Sequence, residues 1–150
     1  MAIFSPQDRE EISKLLAGLI EPVRLLLFTI PQSGLIVPGR TVCETCDDTQ
    51  NLMQELVELS DKLSLEIHHF EREPEVAQRY GVERVPSVLV LGPEGGRVRF
   101  SGAPVGREFG SLLQDIQLIS RGETLLEPAT REAIGAITTP INIRVFVTPT

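Results

Sequence analysis

Several residue types are scarce in this 150-residue chain, which has no tryptophan, one tyrosine, two lysines, two histidines and two cysteines. Long apolar runs are also missing: residues 25–28 and 88–91 have the length of strands, far short of a membrane span. Residues 1–4 carry no basic segment and no long apolar one, so we expect no signal peptide and a cytoplasmic location. Fourteen basic residues stand against 21 acidic ones. The net charge of −7 argues against nucleic acid or an anionic membrane as a partner.

Both cysteines lie in one motif with a two-residue spacer, Cys43-Glu44-Thr45-Cys46. This spacing lets two thiols close a disulfide across the first turn of a helix, so the pair can alternate between dithiol and disulfide. The same motif is also half of a zinc site. However, the only histidines, His68 and His69, are adjacent on a predicted strand and therefore point to opposite faces. We predict redox chemistry at the cysteines, with no metal and no cofactor.

Hydrophobic periodicity predicts the order of the elements up to residue 122. A helix begins with Ser5 as N-cap and Pro6 at the first helical position. A second helix begins at the cysteines, a short one runs from Pro74 to about Gly81, and another ends near residue 121. Strands are predicted at 23–29, 65–70, 86–91 and 97–101. The order α-β-α-β-α-β-β-α favours an α/β fold with helices on both faces of a small mixed sheet.

A strand, a C-x-x-C and, about forty residues later, a Val85-Pro86 step that starts a hairpin resemble the thioredoxin-fold pattern. In particular, the chain resembles the two-unit protein disulfide oxidoreductases, or glutaredoxin-like proteins, of thermophilic archaea and bacteria. The likeness is carried by the opening helix and by three segments: 56–66 (LVELSDKLSLE), 102–109 (GAPVGREF) and 143–150 (IRVFVTPT). The resemblance implies a thioredoxin-like fold: a central four-stranded mixed sheet, helices on both faces and an extra N-terminal helix. It also implies a cis bond at Pro86 beside the cysteines, with Val85, Pro86 and Ser87 lining the substrate groove.

The two cysteines are predicted to have different roles. Cys43, at the predicted helix N-cap, should be the exposed nucleophile because unpaired helix N–H groups and the helix dipole favour a thiolate. Cys46, one turn into the helix, should be more buried and should resolve the mixed disulfide. Three neighbours are expected to tune this reactivity: Glu44, Thr45 and Asp47. The carboxylates of Glu44 and Asp47, with that of Asp48, oppose a nearby thiolate and predict a comparatively reducing site.

Three features depart from the pattern of the resembling proteins. The spacer is Glu44-Thr45, whereas their usual spacers include Pro-Tyr and similar aromatic pairs. The strand at 23–29 contains no carboxylate, so the buried Asp that serves thioredoxins as a proton acceptor is not matched. The loop at 30–42 is longer than the usual link between strand and cysteines, and we expect it to overhang the site and to select partners.

A short pattern recurs about 120 residues further along the chain. The spacing of Pro6, Arg9, Glu10 and Ile12 returns in the sequence PATREAI of residues 128–134, and VRLLL at 23–27 returns as IRVFV at 143–147. We therefore predict a thioredoxin-like unit at 1–122, followed at 123–150 by a linker, a helix and the first strand of an incomplete second unit. This interpretation favours a fragment of a longer protein.

Residues 127–150 are expected to matter to assembly. Their strand, predicted at 141–148, has an apolar face and unpaired backbone groups, which favour edge pairing. We expect it either to extend the sheet of its own unit or to pair with the same strand of another molecule, giving a homodimer.

The leading functional interpretation is a thiol-disulfide oxidoreductase that exchanges electrons with protein disulfides, or with a reductase partner, through Cys43 and Cys46. One alternative is a non-catalytic thioredoxin-like unit whose groove holds a peptide. Another is an electron carrier dedicated to one reductase or peroxidase.

Overall fold

The computed structural model describes residues 3–31, 42–93 and 97–146. The elements follow in the order α1 (Pro6–Leu16), β1 (Val23–Thr29), α2 (Cys46–Val57), β2 (Leu63–His69), α3 (Pro74–Tyr80), β3 (Ser87–Leu91), β4 (Arg97–Ser101), α4 (Arg107–Arg121) and α5 (Pro128–Gly135). None of the helices in these three ranges has the length and hydrophobicity needed to cross a membrane.

The four strands form one mixed sheet, as predicted, and their order across it is β2-β1-β3-β4. Strand β1 pairs in parallel with β2, and β3 is antiparallel to both β1 and β4. Leu25 of β1 lies opposite Leu65 on one side and Val90 on the other. Because β1 and β2 are parallel and α2 connects them, their carboxyl ends meet at the edge of the sheet where α2 begins.

Helices cover both faces of the sheet, which confirms the predicted layering. On one face, α1, α2 and α4 pack against alternate residues of β1, including Leu25 and Leu27. On the other face, α3 packs against Leu26 and Phe28. Burial on both sides explains why β1 is apolar at consecutive positions rather than at alternate ones.

The first helix begins as its sequence predicts. The Ser5 hydroxyl accepts a hydrogen bond from the Asp8 backbone N–H at 3.1 Å, and the Asp8 carboxylate accepts one from the Ser5 N–H at 3.0 Å. Each side chain thus satisfies an N–H group that the helix leaves unpaired. The Ser5 hydroxyl and N–H also lower the pKa of the Asp8 carboxyl, because both donate to its ionised form.

A hydrogen-bonded clamp joins the end of α4 to the segment that precedes β1. Ser120 is fully buried, and its hydroxyl donates to the Glu21 carbonyl at 2.6 Å and accepts from the Ile20 N–H at 2.9 Å. The Glu21 N–H donates to the Ser120 carbonyl at 3.1 Å. The clamp ties the last helix before the tail to the central strand.

Three residues that fit apolar helix stripes by spacing are instead exposed. Helix α1 ends at Leu16, so Ile20 lies beyond it, and α4 begins at Arg107, after Val105. Leu15 lies within α1 but on its solvent side. Ile20 and Val105 therefore lie outside the helices whose apolar spacing they match, whereas Leu15 is helical but exposed.

The tail beyond residue 122 forms its predicted helix but no strand within the described residues. Helix α5 contains no buried residue, and residues 141–146 have no regular secondary structure. Ile143, Val145 and Phe146 are exposed. A lone strand has no partner for its backbone groups, so the sequence pattern at 141–146 is insufficient to form one here. Residues 147–150 lie outside the described part, and assignment of this tail to a second unit stays a prediction.

Candidate active site

The two cysteines form a disulfide at the edge of the sheet where β1 ends and α2 begins. The Cα atoms of Cys43 and Cys46 are 5.5 Å apart. Ile30, Phe70 and Val85 pack around the disulfide. These three residues follow β1, follow β2 and precede β3, so the carboxyl ends of the two parallel strands and the start of a third converge on the sulfur atoms.

The prediction that the helix starts at the first cysteine was wrong. Helix α2 begins at Cys46, and Thr45 is its N-cap with non-helical backbone angles, φ −107° and ψ 4°. Glu44 and Thr45 form a turn, so Cys43 lies two residues before the N-cap. Because the turn returns the chain toward the helix start, Cys43 can bond to Cys46 without belonging to α2.

The prediction that Cys43 is exposed does not hold for the disulfide form. Cys43 is 6% exposed and Cys46 is 0% exposed, because the packed side chains around the disulfide cover both. Cys46 is nevertheless the more buried of the two cysteines, as predicted.

The bond between Val85 and Pro86 is cis, as the resemblance implied. Val85 contacts the disulfide cluster, and the carbonyl of the buried Pro86 accepts a hydrogen bond from the Gly102 N–H at 2.8 Å. Ser87 is buried, and its hydroxyl donates to the Arg84 carbonyl at 2.7 Å. Ser87 therefore shapes the turn before β3, while Val85 is the partly exposed member of the three.

The predicted tuning residues lie on the outer side of the helix start. Glu44, Thr45, Asp47 and Asp48 are all exposed. Asp47 and Asp48 occupy the first turn of α2, where negative charge is favourable to the helix dipole. Thr45 has no side-chain capping bond, but its carbonyl accepts from the Thr49 hydroxyl at 2.6 Å. Solvent around these carboxylates screens their effect on the sulfur atoms.

Only the ends of the loop predicted at 30–42 can be placed, since residues 32–41 lie outside the described residues. Ile30 is buried against the disulfide, and Val42 is exposed.

The two adjacent histidines face opposite sides of the sheet, as predicted. The His68 ring stacks on Phe28 with centroids 5.1 Å apart, and its Nδ1 lies 3.0 Å from Glu73 Oε1. A carboxylate only accepts, so the His68 ring is the donor, and this bond lowers the pKa of the Glu73 carboxyl. In the part of the chain that the structure describes, no group of three or more His, Cys, Asp or Glu side chains is arranged to hold a metal ion.

The sequence analysis assigned no role to His69. Among the described residues, both ring nitrogens of His69 are buried without a hydrogen-bond partner, and so is the hydroxyl oxygen of Thr29, its register partner in β1. The sequence shows only two adjacent histidines at the end of a predicted strand, and this pattern does not indicate whether either ring has a hydrogen-bond partner.

Comparison with known proteins places this fold and site in a family. The model of the thioredoxin domain family matches residues 35–114. The chain therefore belongs to the thioredoxin domain family. A search of curated protein sequences found no match.

Two solved structures are similar over most of the chain. A protein disulfide oxidoreductase from Aeropyrum pernix is 35% identical with a TM-score of 0.73, and the match covers 88% of this chain and 54% of that one. The alkylhydroperoxide reductase AhpF from Enterococcus faecalis is 28% identical with a TM-score of 0.73, covering 89% of this chain and 60% of that one. The chain thus spans little more than half the length of these two proteins.

A thioredoxin from Fasciola hepatica is 19% identical with a TM-score of 0.50, and the match covers 73% of this chain and 92% of that one. This likeness shows the fold alone. A Cys43–Cys46 disulfide at the start of α2, on a thioredoxin fold that resembles a protein disulfide oxidoreductase, supports thiol-disulfide exchange as the chemistry of this site.

Proposed function

We propose that this protein is a thiol-disulfide oxidoreductase that exchanges two electrons with protein disulfides through Cys43 and Cys46, in the cytoplasm. The observation that carries the proposal is the disulfide between these residues at the start of α2, beside Val85 and Pro86. A two-residue spacer permits the dithiol and the disulfide without any change in the strands that hold the site.

The proposed reaction has two exchange steps. The Cys43 thiolate attacks a partner disulfide, forms a mixed disulfide and releases one partner thiolate. Cys46 then attacks the sulfur of Cys43, which closes the protein disulfide and releases the second partner thiol. The roles rest on burial, because the fully buried Cys46 has less access to a protein partner than Cys43. Val85, Pro86 and the backbone of Ser87 are proposed to contact the partner chain.

Reduction of insulin by dithiothreitol tests the proposed activity. The wild-type chain should accelerate insulin precipitation over dithiothreitol alone, and Cys43→Ser should abolish the acceleration. Thr45→Ser is the matched control, since it changes the spacer without removing a thiol, and it should stay active. If the wild-type chain gives no acceleration, protein disulfides are not its substrates, and the alternative of a non-catalytic peptide-binding unit is favoured.

Alkylation of the reduced protein tests the assignment of roles. Limited iodoacetamide at neutral pH, followed by peptide mass spectrometry, should find Cys43 modified before Cys46, because attack requires an accessible thiolate. Faster labelling of Cys46 would reverse the roles.

A second candidate function is an electron carrier dedicated to one reductase. The likeness to the alkylhydroperoxide reductase AhpF over 89% of this chain favours it. A chain that is inactive with insulin but is rapidly reduced by purified thioredoxin reductase and NADPH would support this candidate. Slow reduction in that assay, with activity on insulin, would exclude it.

A further inference from the structure

His69 is a base whose ring nitrogens are buried by folding without a hydrogen-bond partner. Within the ranges that the structure describes, Nδ1 and Nε2 of His69 have no hydrogen-bond partner, and neither does the hydroxyl of Thr29 beside it. Leaving buried polar atoms unpaired is costly, and such groups in folded proteins call for a reason. A role in proton transfer is one such reason, provided that the group lies close to the reacting atoms.

The register of the sheet places His69 at the edge that holds the disulfide. Thr29 and His69 are partners in the parallel pair of strands, and the Phe70 N–H donates to the Thr29 carbonyl at 2.9 Å. The next residues along each strand, Ile30 and Phe70, both pack against the cysteines. Side chains alternate between faces, so Thr29 and His69 lie under the opposite face, which carries Leu25 and Leu27.

Helix α2 covers that face and runs antiparallel to β2. Leu56, near its end, belongs to the same core as Leu65. From Leu56 back to Cys46 the helix extends about 15 Å, at about 1.5 Å per residue. From Leu65 to His69 the strand extends about 13 Å in the same direction, at about 3.3 Å per residue. The first turn of α2, with Cys46, therefore lies at the same edge of the sheet as His69, and α2 packs on the face to which the His69 side chain points.

A base at this place would accelerate the second exchange step. Cys46 is fully buried among apolar side chains, which disfavour a thiolate, so the thiol must lose its proton as it attacks. Strand β1 offers no carboxylate for this purpose. Of the described residues facing this side of the sheet near α2, His69 supplies an unpaired nitrogen base.

We propose that a ring nitrogen of His69 accepts the proton of Cys46 when the mixed disulfide is resolved. The Cys46 sulfur forms a bond to the Cys43 sulfur, the bond from Cys43 to the partner breaks, and the partner sulfur leaves with the electron pair and takes a proton from water. The protein is oxidised by two electrons and the partner is reduced. The imidazolium that forms on His69 later returns its proton to Cys46 when the site is reduced again.

Three carboxylates lie on the segment after His69 and in the first turn of α2. Glu73 Oε2 accepts a hydrogen bond from the His69 backbone N–H at 2.7 Å. Asp47 and Asp48 in the first turn of α2 are exposed and negative. The register partner in β1, Thr29, carries no charge. Of the three, Glu73 is fixed against the His69 backbone, and solvent screens the charges of Asp47 and Asp48.

The test uses the reduced 150-residue chain and 5,5′-dithiobis(2-nitrobenzoate), an aromatic disulfide whose released thiolate absorbs visible light. This inference rests on the proposed function, and the insulin assay of the wild-type chain tests that function separately. In a stopped-flow experiment, the first release reports attack by Cys43 and the second reports resolution by Cys46. His69→Gln and His69→Leu should slow the second release by on the order of 10²-fold at neutral pH, with the first within about threefold of wild type.

His68→Leu is the matched control, because it removes the adjacent imidazole from the other face of the same strand. It should leave the second release unchanged. A His69→Gln variant with a wild-type second release would overturn the proposal, and so would equal slowing of both releases, since that indicates a disturbed site rather than a lost base. In the His69 variants the second rate should rise about tenfold per pH unit, because hydroxide replaces the base.

A measurement on the wild-type chain keeps the test independent of how the variants fold. Nitrogen-15 NMR of the histidine rings should show a His69 resonance that shifts between the oxidised and reduced forms, because the Cys46 thiol donates to the ring only when reduced. The His68 resonance should shift little. Unchanged His69 resonances in the two redox states would refute a contact with Cys46.

Discussion

The boundary of the catalytic unit can be tested by comparing a deletion with a single substitution. The deletion ends the chain after Thr124, which keeps the turn that closes α4, where Gly122 N–H donates to the Ile119 carbonyl and Glu123 N–H to the Leu118 carbonyl. Residues 125–146 contain no buried residue. Their removal should therefore change the free energy of unfolding by less than about 0.5 kcal/mol, as for surface changes in general.

The substitution is Ser120→Ala, which removes one hydroxyl from the clamp. It leaves the Ile20 N–H and the Glu21 carbonyl without the hydrogen bonds of 2.9 and 2.6 Å that the hydroxyl makes. Both bonds are part-buried, and an intramolecular hydrogen bond contributes about 0.5–1.5 kcal/mol to stability, so the loss of this one oxygen atom should destabilise the protein more than the loss of the entire tail. The change in the free energy of unfolding thus depends on the burial and hydrogen bonding of the atoms removed, not on the length of chain removed.

Urea unfolding of the oxidised proteins measures both changes, and the insulin assay shows whether the truncated chain retains the proposed activity. Light scattering before and after the deletion tests the predicted homodimer, which should disappear with the tail. If the chain ending at Thr124 loses more than about 2 kcal/mol or fails to fold, the tail belongs to the first unit and the division at residue 122 is wrong.

Three further predictions concern local contacts. Gly92→Ala should destabilise the protein by about 1–3 kcal/mol in urea unfolding, because a Cβ there would lie 2.5 Å from Ile119 Cγ2; no loss would show that α4 can move away. Gly122→Ala should cost about 1 kcal/mol, since residue 122 has φ 63°, and an unchanged stability would mean that the helix end rearranges. The stability lost in Glu73→Gln should be largest above about pH 4.5 and should shrink as the pH falls, because the His68 bond lowers the folded-state pKa of the Glu73 carboxyl and its benefit disappears on protonation. A difference between the two proteins that does not vary with pH would contradict this reasoning.

The sequence predicted the elements whose signals are local. The Ser5 cap and the αL glycine after α3 follow from the chemistry of single positions, and the continuous apolar run of β1 follows from burial on both faces. Once the elements are known, the layered architecture follows from the general preference for helices on both faces of a mixed sheet. The cis bond at Pro86 came from the resemblance, not from composition.

The site itself was less predictable because its details depend on contacts between distant segments. Helix α2 begins at Cys46, after a turn at Glu44 and Thr45. The two-residue spacer alone does not distinguish a helix that starts at the first cysteine from one that starts at the second. The burial of Cys43 depends on Phe70 and Val85, which are close to it only in the folded chain. Whether a histidine has a partner is likewise a property of packing, so the sequence could not show that the ring nitrogens of His69 are unpaired among the described residues.

The packing around the disulfide links the redox state of the cysteines to the stability of the layer that α3 forms on the sheet. Phe70 and Val85 contact the cysteines and also the core that α3 forms with Leu26 and Phe28. Unfolding and reduction therefore both change the contacts of Phe70 and Val85. Because the two processes are thermodynamically linked, any effect of reduction on the free energy of unfolding must appear equally in the free energy of reduction. If reduction loosens this layer by about 1.4 kcal/mol, the reduced protein unfolds more easily by that amount and the reduction potential falls by about 30 mV. A substitution in the α3 layer that weakens only the oxidised packing would raise the potential without contacting either sulfur atom.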